Sequence, residues 1–133
     1  MGISILLLAG MLAFEDPPKD VTDFFRSAAA ALGDAHGDGN ARSFLEHFDK
    51  TMPDYPEFSH RIEAMVGAGD VSTTIEFVNV EGTDQKRTLD LDWSLQFEGE
   101  RPKRAVIKCT IEKRGKKWKI TSIAPLDFFK REE

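Results

Sequence analysis

Lys117-Trp118-Lys119-Ile120-Thr121-Ser122-Ile123-Ala124-Pro125-Leu126-Asp127-Phe128-Phe129 opens with Trp118 and Ile120 set between polar neighbours, breaks at a proline, and closes on two phenylalanines. A period of two belongs to a strand with one buried face. The period recurs upstream. Arg87 to Glu98 puts Leu89, Leu91, Trp93, Leu95 and Phe97 on one face and Thr88, Asp90, Asp92, Ser94 and Gln96 on the other. Ala105 to Arg114 repeats it with Ala105, Ile107, Cys109 and Ile111, and Val71 to Glu81 is rich in β-branched residues. Four such runs joined by short turns imply an antiparallel meander.

Before Asp70 the period is helical. A first helix is expected to open at Asp20, whose side chain would cap it, and to carry Val21, Phe24, Phe25, Ala28, Ala31 and Leu32 on one face up to Gly33. Gly33 to Asn40 reads as a loop. A second helix is expected from Ala41 to Lys50 on Phe44, Leu45 and Phe48, with His47 at the edge of the buried stripe and Pro53 ending it. A third begins near Tyr55 or Pro56, with Asp54 as its cap, and carries Phe58, Ile62, Met65 and Val66 until Gly67 and Gly69 stop it. Three N-terminal amphipathic helices and a sheet with one apolar face specify an α+β two-layer domain.

Residues 1–14 carry no charge and end in an abrupt polar shift at Glu15-Asp16-Pro17-Pro18. The stretch reads as a signal peptide, although no basic residue precedes its apolar core, and that core is too short for an integral membrane span. The expected organisation is leader 1–14, linker 15–19 and one domain over 20–130, exported to a periplasm or secreted. The alternative is an apolar N-terminal element packed on a cytoplasmic domain. Charge is uneven: residues 1–85 hold 15 acids and 5 bases, and residues 86–133 hold 8 acids and 13 bases. The net charge of −5 disfavours a general nucleic-acid binder. A single Cys109 excludes an internal disulfide and a cysteine-built zinc site.

An opening helical pair, Phe44-Leu45 followed by Phe48, the Pro53-Asp54-Tyr55 turn, the four-strand meander, and Trp118-Lys119-Ile120 followed by Phe128-Phe129 together resemble the nuclear transport factor 2-like (SnoaL-like, cystatin-like) superfamily over about 21–129. The resemblance implies a cone opening between the helices and a curved sheet, often in a homodimer that meets through the sheet. Its members include ketosteroid isomerases, dehydratases and cyclases as well as non-catalytic binding domains, so the fold does not carry over a reaction.

Acid–base catalysis of that type needs a base and a hydroxyl or oxyanion donor converging in a dry cavity. The candidates are Tyr55, His47, Asp49, Asp54 and His60. Helical spacing would hold His47 and Asp49 about 200° apart, which favours surface or structural roles for the set. Asp90 and Asp92 share a strand face and are expected to meet solvent or a partner rather than a cavity. His36, His47 and His60 are too scattered for a ligand set, so neither metal nor cofactor is expected. Phe24, Phe44, Phe48, Tyr55, Phe58, Ile62, Trp93, Leu95, Ile107 and Trp118 are expected to line, or simply to fill, an apolar pocket. Meander topology brings Lys86 and Arg87 to the same end as Lys113, Arg114, Lys116 and Lys117, a basic rim suited to an acidic protein partner. The expected function is a non-catalytic exported binding module, holding a small apolar ligand in the cone. A small isomerase, dehydratase or cyclase is one alternative, and a partner-specific accessory or immunity-type protein with a filled core and a charged rim is another.

Overall fold

A computed structural model describes residues 17–33 and 40–131; the expected leader and His36 lie outside them. Helix α1 spans Lys19–Leu32, α2 Ala41–Leu45 and α3 Tyr55–Gly67; strands β1 Val71–Gly82, β2 Lys86–Phe97, β3 Lys103–Arg114 and β4 Lys117–Ala124 follow, then a 3-10 turn over Leu126–Phe128. The sheet runs in the order β1-β2-β3-β4, each pair antiparallel. Leu89 stands opposite Cys109 and Cys109 opposite Ile123, so the apolar positions form one continuous inner face. Val78 in β1 and Thr121 in β4 are extra residues at bulges, which locally increase strand twist.

The three helices cover that inner face. Phe48 and Phe58 have ring centroids 4.7 Å apart, Trp93 and Phe129 5.1 Å, and Phe58 and Phe129 5.4 Å. The Trp93 indole N–H donates to Thr73 Oγ at 2.8 Å, and Thr73 Oγ donates in turn to Ser94 O at 2.6 Å, so the one polar atom of this ring is satisfied. Arg131 binds the chain after the 3-10 turn to the domain. Its guanidinium donates to Met65 O at 3.1 Å and Gly69 O at 2.6 Å and lies 4.5 Å from the Phe97 ring centroid. At the end of α1, the backbone of Gly33 passes so close to β1 that a Cβ there would stand 2.0 Å from Val71 O.

Three local expectations are corrected. The second helix stops at Leu45 rather than Lys50, because the backbone of residues 47–49 pairs with β4 instead: Ile120 N–H donates to His47 O and Asp49 N–H to Ile120 O, both at 2.8 Å, and Phe48 forms a parallel bridge with Ile120. A strand edge satisfies two backbone groups that a further helical turn would have satisfied internally. The first helix starts at Lys19 behind Pro18, and Asp20 does not cap it; its carboxylate accepts a hydrogen bond from Trp118 Nε1 at 2.9 Å. Asp54 does precede α3, but its side chain makes no capping hydrogen bond.

Candidate functional site

The outer surface carries a groove of ≈ 560 Å³ between α1 and the β3–β4 hairpin. Its helical wall presents Asp20, Asp23, Phe24 and Ser27; its hairpin wall presents Lys113, Lys116, Lys117, Trp118 and Lys119; Glu46 and His47 form the floor. Trp118 belongs here because the alternation of β4 turns it towards the helices, where Asp20 takes its indole N–H and Lys113 Nζ lies 5.0 Å from its ring centroid. His47 is half-buried against Phe24, their rings 5.2 Å apart. Its Nδ1 lies 3.0 Å from Ser43 O and 3.2 Å from Phe44 O, and its Nε2 3.1 Å from Ser27 Oγ. Burial holds the imidazole below its ordinary pKa, outweighing the two carbonyls that favour its charge.

A second depression of ≈ 740 Å³ lies on the other side of Lys117 and Lys119, where Asp49 accepts from Thr51 N at 2.8 Å, Thr51 Oγ1 at 2.6 Å and Arg114 Nε at 2.8 Å. The predicted rim is therefore assembled but largely committed. Lys113 N–H donates to Gln85 O at 2.9 Å, which joins the first and third turns. Lys113 Nζ is 3.7 Å from Asp20, Arg114 pairs with Asp49 and Glu112, Arg87 with Asp84 at 3.0 Å, and Lys86 stands across from Glu112. Lys116 and Lys117 make no ion pair among the described residues, and both are exposed.

Solved structures with the same arrangement place the fold. A protein of unknown function from Shewanella oneidensis, described as NTF-2 like, superposes with a TM-score of 0.63 at 11% identity, covering 79% of this chain and 94% of its own. A Nostoc punctiforme protein of unknown function with a cystatin-like fold gives 0.59 at 12% identity, covering 79% of this chain and 86% of its own. The chain has the nuclear transport factor 2-like fold. A larger Bdellovibrio bacteriovorus protein gives 0.66 at 10% identity over 79% of this chain, which spans 38% of that protein's length. No protein-family profile and no curated protein matches the sequence.

In this nuclear transport factor 2-like domain the described side chains fill the cone, the second of the two readings of that apolar set. Phe44, Phe58, Ile62, Trp93, Leu95 and Ile107 have no exposed surface and Phe48 has 2%. A side chain without water-accessible surface cannot border a void large enough for a ligand. Of the expected lining, Trp118 is buried in the core with one edge on the outer groove, Phe24 is half-buried beside that groove, and Tyr55 is half-buried against the core.

The five acid–base candidates do not converge. His47 lies in the first groove, Asp49 in the second, Asp54 beside Asn79, Asp90 and Lys108 at the sheet, and His60 is exposed on α3. Among the described residues no carboxylate of this set hydrogen-bonds His47. Asp90 and Asp92 face away from the helices and are paired, Asp90 with Lys108 at 3.1 Å and Asp92 with Arg104. Burial pushes the Cys109 thiol far above its ordinary pKa, leaving it inert. Ser27 was not singled out from sequence, because its partner His47 lies 20 positions away and a serine on an exposed helical position carries no signal.

Acid should loosen the contacts around both depressions. The Trp118 hydrogen bond, then Lys113, holds the Asp20 carboxyl below its ordinary pKa, and Thr51, then Arg114, does the same for Asp49. Carboxylates depressed in the folded state contribute stability above their unfolded value of 3.8, and that contribution is lost as pH falls through their folded values. Thermal melts of D20N/D49N should show lower stability than the parent at neutral pH and a gap that closes below about pH 3.8. A gap of constant size would mean that neither carboxylate is linked to folding.

Proposed function

We propose that this domain is an exported, non-catalytic interaction module that grips an acidic segment of a protein partner along the β3–β4 turn. The reading rests on one observation: Lys116 and Lys117 stand exposed without an ion pair among the described residues, while Lys113 and Arg114 are held by carboxylates and Lys119 by the carbonyl of Glu46. Two exposed, unneutralised ammonium groups on one turn suit a segment that carries carboxylates. A filled core supports an exterior binding surface over a ligand carried inside the cone. Placing the surface on a hairpin turn leaves the packed layers undisturbed by binding.

A labelled hexa-aspartate peptide, followed by fluorescence anisotropy at low salt, tests the reading. K116E/K117E should weaken binding roughly tenfold or more with an unchanged melting temperature, since reversing two surface charges changes binding by about 1.4 kcal/mol or more. Added salt should weaken the parent in the same direction. Equal binding by parent and variant would remove the turn as the site, and an absence of binding at low salt would remove the reading.

A further inference from the structure

The groove contains a group whose charge can change as pH falls. Nδ1 of His47 faces only the carbonyl oxygens of Ser43 and Phe44, and a carbonyl can only accept, so Nδ1 carries the hydrogen of the neutral ring. Nε2 then holds the lone pair and accepts from the Ser27 hydroxyl at 3.1 Å. An additional proton has one place to go. On Nε2 it gives the ring a positive charge and makes Nε2 a donor; the Ser27 oxygen turns to accept from it, and the serine hydroxyl hydrogen is freed to point into the groove.

Packed against His47 are Phe24 and Ser27 from α1, Glu46 before it in the chain and Lys119 from β4; Asp20, Asp23, Lys113, Lys116 and Lys117 line the same groove. Two of the three acids are engaged, Asp20 by Trp118 and Lys113, and Asp23 by Lys19 and Arg26. Glu46 and Lys119 act on the ring in opposite senses. An incoming carboxylate would therefore add negative charge beside the protonated ring, where the effect of Glu46 is opposed by Lys119.

We propose that Ser27 and His47 form an acid-strengthened anion subsite at the floor of the groove, so that the acidic segment gripped by Lys116 and Lys117 binds more tightly as pH falls. This rests on the interaction reading above. Burial keeps the ring uncharged at neutral pH, so the strengthening sets in on the acidic side of the ordinary histidine range.

The test measures hexa-aspartate affinity between about pH 8 and pH 5.5, where aspartate carboxylates remain ionised. The parent should tighten roughly three- to tenfold on acidification, and H47Q, once its melting temperature shows that it is folded, should not. Binding that K116E/K117E weakens but that pH leaves flat, or that titrates equally in H47Q, overturns the subsite and leaves the lysine reading standing. Absence of binding at every pH overturns both. In the unmutated protein, saturating peptide must raise the titration midpoint of the His47 imidazole, followed by NMR, by the same factor that protonation raises affinity. A midpoint that does not move overturns the subsite irrespective of how H47Q folds.

Discussion

Trp93→Ala should cost about 3–5 kcal/mol of unfolding free energy in urea titrations, a large share of the roughly 5–15 kcal/mol that holds a domain together. The indole has no exposed surface and lies between Phe44, 6.3 Å away between ring centroids, and Phe129 at 5.1 Å, so truncation leaves a cavity walled by rigid rings that cannot collapse into it. Trp93→Phe is the milder change: it keeps one ring, removes the rest of the indole and with it the donor to Thr73 Oγ, which retains its own bond to Ser94 O, so its loss should be about 1–3 kcal/mol. If Trp93→Ala cost less than about 1 kcal/mol, the centre of the cone would be loosely packed and a ligand cavity would return as the better account.

Two glycine-to-alanine changes should move stability in opposite directions. Gly33 has an extended φ of −169° that any residue adopts, so the cost of Gly33→Ala is one of overlap alone. Its Cβ would meet Val71 O at 2.0 Å and Val71 C at 2.7 Å, both backbone, and the end of α1 would have to move off the start of β1 at a cost of about 1–3 kcal/mol. Gly67 ends α3 and has nothing within 4 Å of its would-be Cβ, so Gly67→Ala should gain about 0.4–1 kcal/mol by restricting the unfolded chain. Thermal melts of the pair read the sign directly. Equal shifts would show that the α1–β1 contact is not tight.

Periodicity made the sheet legible. Leu89, Leu91, Trp93, Leu95 and Phe97 are all buried, as strict alternation over a full strand requires, and the antiparallel order followed from turn lengths. Contacts distant in sequence were not legible. Asp20 has every local property of a helix cap, but its partner is Trp118, 98 positions away. Residues 46–50 continue an acceptable helical pattern, and only the exposed edge of β4 explains why the chain leaves the helix there. Whether ten apolar side chains line a cavity or fill it depends on how their volumes interlock, and composition does not carry that information. The basic turns fell between these cases: topology brought them together, but which lysines remain unpaired depends on where Asp20 and Asp49 sit.

Phe129 is translated after every residue it packs against, and so is Arg131 after Met65 and Gly69. The helices emerge first, with Phe44 and Phe58 already made and nothing to close over them. The domain consequently cannot complete its interior from the amino end forward. Until residues 126–131 have emerged, the aromatic face formed by Phe58 and Trp93 stays uncovered on the side that Phe129 closes.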